Sequence, residues 1–181
     1  RGWGKSHWLS NEIISTALSK PNLRILLMAA DFNNLKKVNF LGDSGIINCI
    51  NPDIKYEFNK TDLSLMFENG SQVISYSAEA YDKTRGSQFH YGFLDELAAW
   101  QYASEGLEAA RLVMRLGEHP KLFIATTPRP TAVIRELVAD PDVMVINGKT
   151  EDNYFLPPQY IDQLRKKLTD RMFRQECLAQ I

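Results

Sequence analysis

The spacing of apolar residues in the first part of the chain predicts a helix, a buried strand and a second helix. After Ser6, apolar side chains recur at near-helical spacing until Pro21 ends the pattern. Residues 24–30 form a short continuous apolar run, which is typical of a strand buried on both faces of a parallel sheet. Asp31 then stands where the N-cap of a second helix, reaching residue 41, is expected.

The middle of the chain changes to an alternation of apolar and polar residues. This alternation runs over IKYEFNKTDLSLMFENGSQVISYSA, and Asn69-Gly70 lies between two such runs as a hairpin turn would. We therefore expect an antiparallel insertion or an antiparallel edge of the sheet here.

From Phe89 onward, apolar runs alternate with helical patterns. The apolar runs are YGFLDE, KLFIATT and VMVIN, and the helical patterns between them are QYASEGLEAARLVMRLG and TAVIRELVA. This order predicts an α/β doubly wound domain, with a mainly parallel central sheet flanked by helices. Two polar helices are expected to follow, over residues 158–168 and 169–181.

Composition narrows the classes of protein that fit this pattern. The 181 residues suit one domain of ordinary size, and 21 basic against 22 acidic residues leave a net charge of −1, so no global basic field marks a nucleic-acid binder. Cys49 and Cys177 lie far apart, which favours neither a disulfide framework nor a zinc site and fits a reducing cytosol. No apolar run approaches the ~20 residues that span a bilayer.

The triplet GKS at residues 4–6 is the first candidate for chemistry. It matches the end of the P-loop pattern G-x-x-x-x-G-K-[ST], whose first glycine would lie two positions before Arg1. In a P-loop, Lys5 would reach the β and γ phosphates of ATP, Ser6 would hold Mg²⁺, and the amides of the following helix would complete the phosphate cradle. The alternative is a lysine and a serine at an exposed helix start.

Two adjacent carboxylates, Asp95 and Glu96, end the apolar strand of HYGFLDELAAW. Alternation along a strand would send the two side chains in different directions, which favours different roles. Asp95 would orient water in the magnesium shell, and Glu96 would polarise the attacking water as a general base. The alternative is an acidic helix N-terminus, which the helix dipole favours.

Two hydroxyls, those of Thr126 and Thr127, follow the apolar strand of KLFIATTPRP. Ligands of open α/β sheets bind outside the carboxyl ends of the strands, so these hydroxyls could sense a γ phosphate or its water. The alternative is structural, with Pro128 and Pro130 ending the strand and stiffening the loop.

Taken in order, these stretches resemble the large terminase subunits of tailed bacteriophages, the ATP-driven motors that package viral DNA into capsids. The resemblance runs over nearly the whole chain and is most specific in the middle block. The stretches that carry it are RGWGKS, YSAEAYDKTRGSQFHYGFLDELAAW, FIATTPRPT and, more loosely, GKTEDNYFL and FRQE. The implied fold is an additional-strand, RecA-like P-loop NTPase.

The resemblance also implies a role for each candidate residue. Arg1 would be the arginine inside the phosphate loop, and Arg85 of the TRG would be an arginine finger that reaches a neighbouring subunit's nucleotide. Thr126 and Thr127 would belong to the motif that couples hydrolysis to movement. The remaining implied assignments are nucleotide binding by Gly2, Gly4, Lys5 and Ser6, magnesium binding by Ser6 and Asp95, and catalysis by Glu96.

The implied cofactors are ATP and Mg²⁺, and the implied partners are double-stranded DNA, the portal protein, the small terminase subunit and further copies in a ring, without a membrane. The implied place of action is the procapsid in the host cytoplasm. Residues 1–168 would form the ATPase domain, without the N-terminal part of its P-loop, and residues 169–181 a helix leading toward a nuclease domain absent from this chain. Another RecA-like or helicase-type ATPase, or a nucleotide-incompetent assembly module, remains an alternative.

Overall fold

A computed structural model describes residues 2–180 and divides the chain into two compact units. One unit runs from Ser6 to Ala125 and contains the whole sheet. The other comprises the chain up to Lys5 together with the residues from Thr126 onward.

The first unit is built on a six-stranded sheet with the strand order β2-β3-β4-β1-β5-β6. Strands β4, β1, β5 and β6 pair in parallel, whereas β2, β3 and β4 pair antiparallel. This arrangement confirms the predicted mainly parallel sheet with an antiparallel hairpin insertion. The strand bounds are β1 Arg24–Ala29, β2 Tyr56–Asn59, β3 Ser64–Phe67, β4 Gln72–Ser77, β5 Tyr91–Asp95 and β6 Lys121–Ala125.

The sheet follows closely from the sequence pattern. Strand β1 has neighbours on both edges, and all its residues after Arg24 are buried, as its continuous apolar run predicts. The predicted turn joins β3 to β4, where Gly70 has a φ of +82°, a backbone region that glycine enters without steric cost. Phe93 of β5 stacks on Phe123 of β6 with ring centroids 4.9 Å apart, which fixes these two strands against each other.

The helices of this unit follow the predicted order but differ in two places. Their bounds are α1 Lys5–Ser19, which begins at the last residue before the unit, α2 Phe32–Asn34, a π-helix over Leu35–Phe40, α3 Ile46–Cys49, 3₁₀ helices over Ala78–Thr84 and Leu97–Ala99, and α4 Ala103–Val113. Asp31 caps α2 as predicted, because its Oδ1 accepts a hydrogen bond from the Asn34 amide at 2.8 Å. The continuation of α2 as a π-helix is one difference.

The other difference is that α4 is shorter than the pattern QYASEGLEAARLVMRLG predicts. The helix ends at Val113, and Met114 forms an isolated parallel bridge with Phe89. The amides of Arg115 and Leu116 both donate to the Phe89 carbonyl, at 3.2 and 3.1 Å. These long-range bonds replace helical ones and lead the chain out of α4 toward the sheet.

The second unit holds the remaining helices. Their bounds are α5 Ala132–Ala139, a 3₁₀ turn over Thr150–Asp152, α6 Pro158–Lys167 and α7 Asp170–Cys177. The Arg165 guanidinium lies 4.9 Å from the centre of the Phe173 ring, a cation–π contact that joins α6 to α7. The two predicted polar helices are therefore present.

The prediction of a strand at VMVIN is wrong. Residues 143–147 are irregular, and the side chains of Met144 and Ile146 are 86% and 72% exposed. The Val143 amide donates to the Asp140 carbonyl at 3.1 Å, which closes a turn after α5. An apolar run becomes a strand only where a neighbouring strand accepts its backbone hydrogen bonds, and composition does not reveal that neighbour.

Within the described part of the chain, every helix is too short or too polar to cross a bilayer.

Candidate functional site

The GKS triplet lies at the start of a helix, as a P-loop requires. Gly2 and Gly4 have φ angles of +76° and +101°, which residues with a side chain rarely adopt, and α1 begins at Lys5. The Lys5 ammonium donates to Thr127 Oγ1 at 3.4 Å, and Thr127 is buried. Ser6 follows in the first turn of α1, where backbone amides have no partner inside the helix. Arg1 lies outside the described residues.

The glycine loop is enclosed by a downstream segment of the same unit. The Asn153 side-chain amide donates to the Gly2 carbonyl at 2.6 Å. A methyl group built on Gly2 would lie 3.3 Å from Leu156 and 3.4 Å from Tyr160. The segment GKTEDNYFL, which is only a loose part of the family resemblance, therefore holds the first described residues of the phosphate loop in place.

Gly148 is the tightest point of this enclosure, and it provides a stability test. A Cβ atom at residue 148 would overlap the indole ring of Trp3. We expect Gly148→Ala to lower the free energy of unfolding by about 1–3 kcal/mol, the usual cost of overpacking. The measurement is thermal unfolding of Gly148→Ala, Trp3→Ala and the double variant. If Trp3 is the obstacle, Gly148→Ala will cost little in the Trp3→Ala background; an equal cost in both backgrounds would contradict it.

Asp95 is buried at the end of β5 and held by two neighbours of the same unit. The side-chain amide of Asn39 donates to Asp95 Oδ2 at 2.8 Å. The indole N–H of Trp100 donates to the main-chain oxygen of Asp95, also at 2.8 Å. The carboxylate is therefore oriented from the side chain and from the backbone.

Glu96 has an unusual backbone conformation. Its φ and ψ are 53° and 45°, in the left-handed helical region, and its amide donates to the Ala125 carbonyl at 2.6 Å. The strand ends at Asp95, so the expectation that strand alternation separates the two carboxylates does not apply; a left-handed turn lies between them instead. A non-glycine residue in this region is strained, and such residues cluster at functional sites.

Thr126 and Thr127 directly follow the last residue of β6, Ala125. The Thr126 hydroxyl donates to the main-chain oxygen of Thr127 at 3.3 Å. The Thr127 hydroxyl accepts from Lys5, so one of the two predicted sensor threonines lies at the phosphate-loop lysine.

Arg85 follows the 3₁₀ helix 78–84, and its side chain is 83% exposed. One guanidinium nitrogen lies 2.8 Å from Asp82 Oδ1, three residues earlier. Arg85 also lines a groove of about 520 Å³, with Glu105 and Glu108 of α4 among the other lining residues. The side chain is therefore accessible from outside its own unit of the chain.

Two asparagines in contact with these residues had no role in the sequence analysis. Asn153 lies inside GKTEDNYFL, so the loose resemblance was a weak signal for it. Asn39 lies in the π-helix, and nothing in the spacing of apolar residues reveals that helix type or the side chain that it turns toward Asp95.

Asn39 also provides a test of whether this end of β5 fits a magnesium ion. Its Oδ1 is buried and has no hydrogen-bond partner among the described residues. The nearby carboxylate of Asp95 and this free amide oxygen are the hard oxygen groups that suit Mg²⁺ and its bound waters. The donor set therefore fits a hydrated Mg²⁺.

Comparison with known families gives a match along the whole chain. A family described as "Terminase large subunit, T4likevirus-type, N-terminal" matches residues 1–181. Comparison with curated proteins finds no match by sequence.

Solved structures with the same fold are large terminases at low sequence identity. The Thermus phage P74-26 large terminase ATPase domain superposes with a TM-score of 0.72 at 17% identity, and the match covers 99% of this chain and 85% of that one. The large terminase of another thermophilic bacteriophage, solved with ATP-γ-S, gives 0.76 at 12% identity, over 98% and 45% of the two chains. The HK97 bacteriophage large terminase gives 0.71 at 14% identity, over 99% and 45%. The chain thus spans less than half of the latter two proteins, and its predicted RecA-like fold is confirmed.

Proposed function

Because the chain belongs to the family of T4likevirus-type terminase large subunits, in its N-terminal part, we propose that it is the ATPase domain of a DNA-packaging motor. In this proposal the domain hydrolyses ATP with Mg²⁺ to drive double-stranded DNA into a procapsid in the host cytoplasm. Its partners are the portal protein, the small terminase subunit and further copies of itself in a ring. A terminase of this fold has been solved with ATP-γ-S, which supports nucleotide as the ligand.

The observation that carries the proposal is the contact between Lys5 and Thr127. A lysine at the first position of a helix, after two left-handed glycines, presents a cation beside free backbone amides, which together bind phosphate. The Thr127 hydroxyl accepts from that ammonium at 3.4 Å. We infer that the γ phosphate of bound ATP would take the place of this long bond, so that Thr127 senses whether the phosphate is present.

The two carboxylates have separate tasks in this proposal. Asp95, oriented by Asn39, and the Ser6 hydroxyl would hold Mg²⁺, which would neutralise charge on the phosphates. Glu96 would accept the proton of the attacking water while that water's oxygen forms a bond to the γ phosphorus and the bond to the bridging oxygen of ADP breaks. Its left-handed backbone fixes where this carboxylate starts, independently of the strand direction.

The proposal includes the division of the chain into an ATPase domain over residues 1–168 and a connecting helix over residues 169–181. Helix α7 begins at Asp170, and Thr169 caps it by accepting from the Met172 amide at 3.4 Å. The connection would lead toward the nuclease domain of the full-length protein.

Lys5→Ala in the full-length protein tests the proposal. Loss of a hydrogen bond to a charged group costs about 1.5–3 kcal/mol, so ATP should bind about 10- to 100-fold more weakly. The measurement is ATP affinity and ATP hydrolysis in the presence of Mg²⁺, portal protein and DNA. Lys20→Ala, an exposed lysine just after α1, is the matched control and should behave as the wild type.

If the wild type binds and hydrolyses ATP and Lys5→Ala is equally active, the phosphate loop is assigned to the wrong residues. If the wild type neither binds nor hydrolyses ATP with portal and DNA supplied, the chain is an assembly module rather than a motor domain.

A further inference from the structure

The described residues contain one buried polar side-chain atom without a partner, Asn39 Oδ1. Asn39 is 4% exposed, so solvent at the surface does not satisfy this oxygen. Burying an amide oxygen without a hydrogen bond costs free energy, and proteins keep such groups mainly where a ligand, an ion or a water completes them.

The orientation of this amide follows from its neighbour. An ionised carboxylate can only accept hydrogen bonds, so the Asn39 atom 2.8 Å from Asp95 Oδ2 must be the NH₂ group. The oxygen therefore points away from that contact and remains available to a donor. Asn39 thus has one end on the carboxylate and the other end open to a hydrogen-bond donor.

The π-helix determines where the Asn39 side chain lies. Residues 35–40 form this helix, and the Leu41 amide donates five residues back to the Lys36 carbonyl at 3.0 Å. A π turn holds one residue more than an α turn, so it shifts which side chains face the sheet, and such turns are frequent at functional sites. Phe40 anchors the turn by stacking on Phe58, with ring centroids 5.1 Å apart.

We propose that Asn39 is a positioning residue for the divalent cation, which fixes the Asp95 carboxylate through its NH₂ group and accepts a hydrogen bond from a water of the hydrated ion through Oδ1. The inference rests on the proposed function, because it takes Asp95 as the residue beside Mg²⁺. Mg²⁺ retains several waters when proteins bind it, and those waters are hydrogen-bond donors. Asn39 would thereby link the π-helix to the state of the nucleotide site.

The test separates metal binding from nucleotide binding and from folding. For the full-length protein, the affinity for ATP-γ-S is measured with saturating Mg²⁺ and again in EDTA, and the ratio gives the gain due to the metal. Loss of an outer-shell partner typically weakens a metal site about 10- to 100-fold. Asn39→Leu should reduce the gain due to Mg²⁺ by about that factor while the affinity in EDTA stays as in the wild type.

Asn33→Ala, an exposed asparagine of the same helical segment, is the matched control and should leave the gain unchanged. If Asn39→Leu does not fold, Asn39→Ala carries the same test, because water can fill the space that alanine leaves. A lower melting temperature with an unchanged gain would show that Asn39 has only a structural role and would overturn the inference. Absence of any Mg²⁺-dependent gain in the wild type would overturn the proposed function as well.

Discussion

Glu96→Gln is expected to lower ATP hydrolysis by about 10²- to 10⁴-fold, the usual contribution of a general base. Glutamine has nearly the same shape, but its amide cannot accept the proton of the attacking water. The backbone amide of residue 96 still donates to the Ala125 carbonyl, so the left-handed turn is retained. Because Asp95, Ser6 and Lys5 are untouched, affinity for Mg²⁺ and ATP should remain close to that of the wild type.

The measurement is single-turnover hydrolysis beside equilibrium ATP binding, since these separate the chemical step from binding. Glu118→Gln, at an exposed position, is the matched control and should hydrolyse ATP at the wild-type rate. Turnover of Glu96→Gln within a few-fold of the wild type would assign the base to another residue. Loss of binding together with turnover would instead place Glu96 among the residues that hold the nucleotide.

The sequence predicted the sheet well where the pattern of residues had a single structural meaning. The run 24–30 became the buried strand β1 because nothing but a doubly covered strand accommodates so many consecutive apolar side chains. Asn69-Gly70 became a turn because glycine enters the positive-φ region at no steric cost. The run VMVIN carried the same apolar signal, yet it forms no strand, because strand formation depends on a partner elsewhere in the chain.

The candidate site divides in the same way. The residue types and order of GKS, Asp95-Glu96 and Thr126-Thr127 were visible in the sequence, because phosphate and magnesium chemistry restricts which side chains can serve. The contacts that orient them were not. The π-helix that turns Asn39 toward Asp95 and the left-handed conformation of Glu96 are tertiary features, since each depends on hydrogen bonds to distant backbone or side-chain atoms.

Arg85→Ala is expected to lower ATP hydrolysis by about 10³- to 10⁵-fold, and only where subunits assemble, since an arginine finger supplied by a neighbour is worth that factor. Arg85 is exposed and forms an ion pair with Asp82 in which both side chains lie largely in solvent. Such pairs are worth little, so a more strongly charged nucleotide in an adjacent subunit would draw the guanidinium away from Asp82. Asp82→Ala should therefore leave hydrolysis near the wild-type rate, and serves as the control for Arg85→Ala.

Mixing two inactive variants distinguishes an arginine that acts on a neighbour from one that acts within its own chain. In assemblies of Arg85→Ala with Glu96→Gln subunits, an Arg85→Ala subunit keeps its own Glu96 and can receive Arg85 from a Glu96→Gln neighbour. If Arg85 acts in trans, the mixture should recover a substantial part of the hydrolysis that each variant alone has lost. If Arg85 acts in cis, every subunit in the mixture lacks one essential group, and activity should stay at the level of the pure variants.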